Sequence, residues 1–238
     1  VSIRLSIVIP VYNEELLVVQ VLELLENLDL PPFVLSREII IVDDCSTDAT
    51  YLRVKNWIAG KSGYELHKHP QNQGKGAAVR SGISLSTGDT ILIEDADLEL
   101  QPADIPAMLR AMESLGVEMV NGSRYLPGPI RPLSSYKRYI ANKLFSWLTS
   151  LLIDIRITDM ACGYKLVKRA LVDKLFLKEN RFAIEAELLI KAARIKRSTI
   201  VEVPVQYFPR NEGEGKKFRT SDGVRILWKI IYYSFGGR

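Results

Sequence analysis

In the stretch TILIEDADLELQP, Thr90 to Pro102, a short apolar run (Ile91, Leu92, Ile93) leads straight into Glu94, Asp95, Asp97 and Glu99. Four carboxylates within six residues repel one another, so something positive is expected where this strand ends. Two other apolar runs end in unusual chemistry. Leu5 to Ile9 gives way to Pro10-Val11-Tyr12-Asn13-Glu14, and Glu38 to Val42 gives way to Asp43-Asp44. Clustered carboxylates that are not spent on salt bridges usually bind a hard divalent cation. Oxygen ligands suit Mg2+ or Mn2+, which commonly take a diphosphate as a remaining ligand. The chemistry implied is a metal–diphosphate site.

The elements that must position these acids alternate along the chain. A strand at Leu5–Ile9 ends at Pro10, and Asn13 is placed to cap a helix running to about Leu28. The near-continuous β-branched run Glu38–Val42 predicts a strand buried on both faces. Ser46 or Thr47 is placed to cap the helix that follows. Tyr64 to His69 alternates weakly and predicts an exposed strand, which makes His67 and His69 surface residues. Gly74–Ser86 reads as a helix, Thr90–Ile93 as a strand, and Pro102 sits near the first turn of another helix. A strand is expected at Val117–Val120, a basic helical segment after residue 125, and a short strand at Tyr164–Val167. A helix at Ala183–Ile195, a strand at Ile200–Val205 and a closing helix from about Ser221 complete the order. This rhythm predicts an α/β fold with a mostly parallel sheet flanked by helices. No linker or repeat divides it, so residues 1–238 are expected to form one domain. In such sheets ligands bind beyond the carboxyl ends of the strands, so the three acidic ends should face one crevice.

Composition narrows the partners. The chain has 238 residues, 47% apolar and 25% charged, with 32 basic against 28 acidic side chains. A net charge of +4 is too mild to imply a nucleic-acid partner. Cys45 and Cys162 are the only cysteines, which excludes a disulfide framework and suits a reducing compartment. The opening VSIRLSIVIP does not read as a signal peptide. The longest uncharged apolar-rich stretch, Leu144–Ile153, is ten residues, about half of a spanning helix. No bilayer crossing is expected. From Tyr125 to Ile153 there are four basic residues, Arg131, Lys137, Arg138 and Lys143, and no acidic ones. Tyr139, Ile140, Leu144, Phe145, Trp147, Leu148 and Leu151 recur there at spacings of three and four, which suits a helix lying in the headgroup region. The run Asp222–Phe235, with Trp228, Tyr232 and Tyr233, offers a second such surface. The expectation is peripheral association with the cytoplasmic membrane face; ordinary core or a dimer contact are the competing explanations of the stripe.

The stretches PVYNEE, VDDCSTDAT, NQGKGAAVRSG and EDADLE, in that order, resemble the family 2 glycosyltransferases, whose fold is GT-A. NGSRYLPG, TDMACGYKLVKR, NRFAIEAELL, VEVPVQY and EGKKFRTSDGVRILW resemble, within that family, the polyprenyl-phosphate sugar transferases that include dolichyl-phosphate mannose and glucose synthases. The likeness runs from about residue 5 to residue 233. It implies a nucleotide-sugar-binding half over 1–125 and an acceptor-binding half over 126–238 with candidate membrane-interface helices. It implies that Pro10, Tyr12, Asn13, Glu14, Asp44, Lys75, Asp95 and Ala96 line the nucleotide site. Asp95, Asp97 and Glu99 hold the metal in the same reading, with Asp97 its first ligand. Glu99 stands where the mannose synthases often carry glutamine, and it adds negative charge beside the metal.

An acceptor that is a lipid phosphate has a second pKa of about 6 and is already a nucleophile at neutral pH, so no strong general base is needed. Cations must instead screen two anions from each other. The resemblance assigns the acceptor phosphate to Arg124 and Arg138, with Lys216, Lys217 and Arg219 as further clamps. Arg124 and Arg138 thereby join Asp97 as catalytic residues. Asp159, Glu185 and Glu187 fall on acidic positions suited either to sugar recognition or, for the two glutamates, to a solvated helix face. The donor expected is a UDP-sugar such as UDP-glucose or UDP-GlcNAc, with GDP-mannose as the second choice. The lipid is a polyprenyl or dolichyl phosphate. A hydroxyl-acceptor glycosyltransferase, a sugar nucleotidyltransferase and a non-catalytic nucleotide-sugar sensor are the rival readings. The first would place an acidic base near the acceptor, and the second would begin with a glycine- and arginine-rich signature.

Overall fold

A computed structural model describes residues 2–127, 135–195, 200–210 and 220–237. The elements run β1 (Ile3–Val11), α1 (Val18–Glu26), β2 (Val34–Asp43), α2 (Thr50–Ile58), β3 (Tyr64–Lys68), α3 (Lys75–Leu85) and β4 (Thr90–Ile93). A short 3-10 turn at Pro102–Asp104 leads into α4 (Ile105–Leu115), then β5 (Met119–Ser123) and α5 (Tyr136–Ile153). The chain continues through β6 (Lys165–Lys168), α6 (Arg169–Val172), α7 (Ile184–Ile195), β7 (Ile200–Pro204) and α8 (Thr220–Ser234). The seven strands form one sheet in the order β3-β2-β1-β4-β6-β5-β7. Neighbours pair in parallel except β6, which runs against both β4 and β5.

The apolar runs explain the layers. Ile39, Ile40, Ile41 and Val42 of β2 are at most 1% exposed, because helices cover both faces of the sheet. On one face α1, α2 and α4 pack through Val21, Leu22, Val54, Met108 and Leu109. On the other lie α3, α5, α7 and α8, joined through Val79, Phe145, Leu188, Ile226 and Ile230.

Two glycines let these layers approach. Gly82 of α3 lies directly over the Val8 side chain of β1. Gly76 faces the backbone before α7: an added Cβ would run into the carbonyl oxygen of Glu179 and sit 2.9 Å from that of Arg181. Overpacking against backbone costs about 1–3 kcal/mol. Gly76→Ala should therefore lower unfolding free energy by about that amount in urea titration. Gly223→Ala, on α8 with nothing nearer than 3.8 Å, should leave stability unchanged or raise it by up to about 1 kcal/mol.

Several boundaries differ from the sequence-based expectation for one physical reason. Asn13 does not cap α1, which begins at Val18. It adopts a left-handed φ of 50°, its N–H donates to Ser46 Oγ (3.0 Å), and its Oδ1 accepts from Thr47 N (2.8 Å). The residues expected as two helix caps thus staple one strand-end loop to the next. Before α2, Asp48 Oδ1 accepts from Thr50 N at 3.0 Å instead.

Candidate active site

Three strand ends form one rim. Val11 is paired with Asp43, and Val8 with Ile93, so the loops after β1, β2 and β4 leave the sheet side by side. The acids expected to share a crevice are brought together here.

The loop after β4 is tight: Leu98 has φ 56°, and Glu99 N–H donates to Asp97 Oδ1 at 3.0 Å. Lys75, at the start of α3, places its Nζ 2.7 Å from Asp95 Oδ1 and 2.7 Å from Glu185 Oε1. Arg210, beyond β7, forks across the loop. Its Nη1 donates to Glu14 Oε2 at 3.0 Å, and its Nη2 to Asp97 Oδ2 at 3.0 Å and Glu14 Oε1 at 3.3 Å. Glu99 accepts from the Tyr207 hydroxyl (3.2 Å) and from Arg210 N–H (3.1 Å). Phe208 N–H bonds the Glu99 carbonyl at 2.8 Å, and Gln206 N–H bonds Asp104 Oδ2 at 2.7 Å. The segment 206–210 is thereby strapped over the acid loop.

The expectation of acids not spent on salt bridges does not hold, since Asp95 pairs with Lys75 and Asp97 with Arg210, but the oxygen donors still suit a divalent cation. Burial, then the charges of Asp95 and Glu99, push Asp97 up to about 6 despite the opposing pull of Arg210. Added positive charge would relieve that crowding. Among the described residues no three His, Cys, Asp or Glu side chains converge as a ready ligand cage. One or two carboxylates completed by substrate phosphates is how Mg2+ is usually held, and Asp97 and Asp95 fit that arrangement. Glu94 does not belong to the rim. It is fully enclosed beside Tyr164, and burial pushes its carboxyl well above the usual range.

Asp44 is also committed within the chain. Its Oδ1 accepts from Gln73 N–H (2.9 Å) and lies 2.7 Å from His69 Nδ1, and its Oδ2 accepts from Gly74 N–H at 2.7 Å. His69 Nε2 in turn meets Ser81 Oγ at 2.9 Å. His69 is therefore no surface residue: it is 3% exposed and braces the NQGKG turn, where Gly74 takes φ 99°. That turn is what aims Lys75 at Asp95. Pro10 belongs to β1 itself, Tyr12 is half-buried in the loop after it, and Ala96 packs into the core.

Of the residues expected on the acceptor side, Arg124 lies just beyond the end of β5, against Asp159. Asp159 has no exposed surface and grips Arg124 through Nε (2.7 Å), Nη2 (2.8 Å) and the backbone N–H (3.0 Å). Glu202 of β7 builds the Asp159 loop by accepting from Thr158 N–H (2.8 Å) and Asp159 N–H (3.2 Å). The Arg124 guanidinium lies 5.1 Å from the Tyr207 ring centroid, and the same tyrosine bonds Glu99. Tyr207 thus links the arginine to the acid loop. Arg138 is half-buried in the first turn of α5; Lys216, Lys217 and Arg219 lie outside the described residues.

Glu185 meets Lys75 and lies 3.6 Å from the wholly buried Lys165 Nζ. Glu187 is not on a solvated face. It is fully enclosed, accepts from the backbone N–H groups of Lys178 (2.9 Å) and Glu179 (2.8 Å), and pairs with Lys191 at 2.7 Å. Its carboxylate caps the segment entering α7 and leaves no face for a sugar. Sequence reasoning overlooked Arg210, Tyr207 in this role, His69 and Glu202. Arg210 falls between two of the telling stretches, VEVPVQY and EGKKFRT, and nothing in its local spacing marks it.

Residues 6–176 match the family model described as Glycosyl transferase family 2. The chain is 30% identical over 215 residues to the dolichol-phosphate mannosyltransferase of Pyrococcus furiosus, covering 90% of this chain and 59% of that protein. It is 30% identical to the dolichyl-phosphate beta-glucosyltransferase of Dictyostelium discoideum (96% of this chain, 77% of that one). It is 29% identical to the dodecaprenyl-phosphate galacturonate synthase of Rhizobium johnstonii (98% and 67%). The chain thus spans about three fifths of the Pyrococcus protein's length. Among solved structures it superposes on glucosyl-3-phosphoglycerate synthase from Mycobacterium tuberculosis with a TM-score of 0.74. That match, at 19% identity, covers 98% of this chain and 80% of the other, and it establishes the expected fold.

Proposed function

The chain belongs to glycosyl transferase family 2, and on that premise we propose that it moves a sugar from a nucleoside diphosphate onto a polyprenyl or dolichyl phosphate. The observation that carries this reading is Arg124, clamped by Asp159 and joined through Tyr207 to the loop of Asp95 and Asp97. In this reading Arg124 is the cation that meets the second anion, beside a site suited to a diphosphate. The three relatives are named for mannose, glucose and galacturonate transfer, and each name contains a prenyl-type phosphate. The acceptor class is therefore the shared feature. The donor we favour is a UDP-sugar, with GDP-mannose as the second arm of the test.

Asp97 and Asp95 are likewise the residues that would hold Mg2+ or Mn2+ once the donor diphosphate is present. When bound, the cation neutralises charge on the departing diphosphate, a contribution of several kcal/mol. The chain's own residues do the rest. Glu14 and Asn13 shape the nucleotide end of the crevice. Lys75 keeps Asp95 and Glu185 aligned. Arg124 fixes the acceptor phosphate so that one of its oxygens meets the anomeric carbon, while Arg138 adds positive charge at the start of α5. A phosphate dianion attacks without surrendering a proton, so no base is required.

The outer layer supports the proposal of membrane association. Among the described residues no helix is long and apolar enough to cross a bilayer. Yet α5 exposes Ile140, Leu144, Trp147 and Leu151, α8 exposes Val224, Trp228, Ile231 and Tyr232, and Phe235 is exposed just after α8. The two helices pack on each other through buried Phe145, Ile226 and Ile230, so the stripe expected on α5 divides into a core side and a solvent side. With Lys137, Lys143, Arg225 and Lys229 on the same helices, this layer suits an anionic surface. The paired substitution Trp147→Ala and Trp228→Ala should cut co-sedimentation with phosphatidylglycerol vesicles by about tenfold or more. Unchanged sedimentation would remove α5 and α8 from the account.

The reaction is tested by incubating the protein and Mn2+ with a panel of UDP- and GDP-sugars and a polyprenyl phosphate, then weighing the lipid. One sugar residue gained on the lipid phosphate is expected. Transfer only to hydroxyl acceptors would replace this reading with a glycan-elongating enzyme, and binding without turnover with a nucleotide-sugar sensor.

A further inference from the structure

We infer that Arg210 occupies the place of the divalent cation until a donor arrives, and so makes cation binding depend on the diphosphate. This rests on the function proposed above. A single guanidinium joins Glu14 to Asp97, the residue placed first as cation ligand, with Nη contacts of 3.0 Å to each. Its Nε stands 4.0 Å from Glu99 Oε1 and is without a hydrogen-bond partner among the described residues. Arg210 therefore holds Asp97, the carboxylate placed first as cation ligand, while Asp95, the second, is held by Lys75. A cation approaching alone must displace Arg210.

The anchoring of the strap shows what moves. The backbone of 206–210 is tied to the acid loop by Gln206 N–H to Asp104, Phe208 N–H to the Glu99 carbonyl and Arg210 N–H to Glu99 Oε1. The Arg210 Cα is thus held beside the loop, while its guanidinium can leave Asp97 by side-chain rotation alone. A diphosphate offers that planar fork a bidentate partner. Cation and diphosphate together can then exchange partners with the arginine: Asp97 turns to the cation and Arg210 to phosphate oxygens. Charge stays balanced throughout, and neither ligand alone obtains the full exchange. By linkage, the factor by which nucleotide tightens the cation must equal the factor by which the cation tightens nucleotide.

Arg210 thus acts on the binding of both ligands, and its test reads binding rather than turnover. Free Mn2+ is followed by electron paramagnetic resonance in titrations of the full chain, with and without UDP, and with GDP as a second arm. In the wild type, nucleotide should tighten Mn2+ binding by about tenfold or more. Arg210→Gln should bind Mn2+ alone several-fold more tightly than wild type, and the coupling should shrink toward one. Arg210→Lys, which keeps the charge but not the fork, should fall between them. Because Arg210→Gln leaves acids without their cation, its melting temperature should drop in EDTA and recover with Mn2+. A fold damaged for other reasons would not recover. Wild-type Mn2+ affinity in Arg210→Gln, with the coupling intact, would overturn the inference and leave the proposed function standing. Failure of the wild type to bind Mn2+ with either nucleotide would instead remove the proposed function.

Discussion

Asp97→Asn should abolish most turnover while leaving the metal-free protein as stable as before, or more so. A cation against a departing diphosphate contributes several kcal/mol, and each 1.36 kcal/mol is tenfold in rate, so kcat should fall by roughly 10^2- to 10^4-fold. The stability half follows from the crowding around Asp97. Its carboxyl is raised from 3.8 to about 6, chiefly by burial and then by Asp95 and Glu99. The folded state thus binds a proton more readily than the unfolded chain between those values. Metal-free stability must therefore fall as pH rises through the window from 3.8 to about 6, and that loss persists above it. Asparagine cannot ionise. The variant should lack this slope in EDTA, read by thermal melts between pH 4 and about 7. The wild type should regain stability when Mn2+ and nucleotide are added; the variant should not.

The opposite signature is expected at Asp159. This carboxylate has no exposed surface and takes three N–H groups of Arg124. Breaking a buried ion pair from one side costs about 3–5 kcal/mol, because the remaining charge is stranded. Asp159→Ala should therefore lower unfolding free energy by about that amount in urea, a large share of a typical domain's 5–15 kcal/mol. Its residual activity should show a raised KM for the lipid phosphate, since Arg124 is no longer aimed, with the KM for the donor little altered. Arg124→Lys should keep more of the fold but reproduce the acceptor defect, because a point charge cannot reproduce the fork. An acid that is costly to keep charged and an acid that is costly to lose lie on one rim. Asp97 is proposed to serve a ligand, whereas Asp159 is committed to Arg124.

The contrast between what was legible in sequence and what was not follows the same division. The apolar runs of β1, β2 and β4 and the acids that follow them are local signals, and the strand ends do meet at one rim. NGSRY marks Arg124 as a candidate for the acceptor phosphate, and the structure adds its clamp by Asp159. The partners were not legible. Arg210 reaches Glu14 across 196 residues and Asp97 across 113, and no local periodicity encodes such a contact. His69 alternates with His67 as though on a solvent-facing strand, but it lies at the end of β3, where the α3 turn closes over it and leaves it 3% exposed. For Glu187 the sequence leaves sugar recognition and a solvated helix face open; the segment 178–179 folds back over it and supplies two N–H donors. Asn13 looked like a cap because its residue type suits one, and it spends that capacity on the neighbouring loop. Polar residues were thus readable by type and position, while their assignment to ligand or to chain needed the tertiary contacts.

The most direct measurement is an anomalous difference map from crystals grown with Mn2+ and UDP. The account predicts a manganese peak bonded to an Asp97 oxygen and to diphosphate oxygens, with the Arg210 guanidinium turned from Asp97 to phosphate. Nucleotide bound in the crevice with no manganese peak, and Arg210 still joined to Asp97 and Glu14, would contradict it.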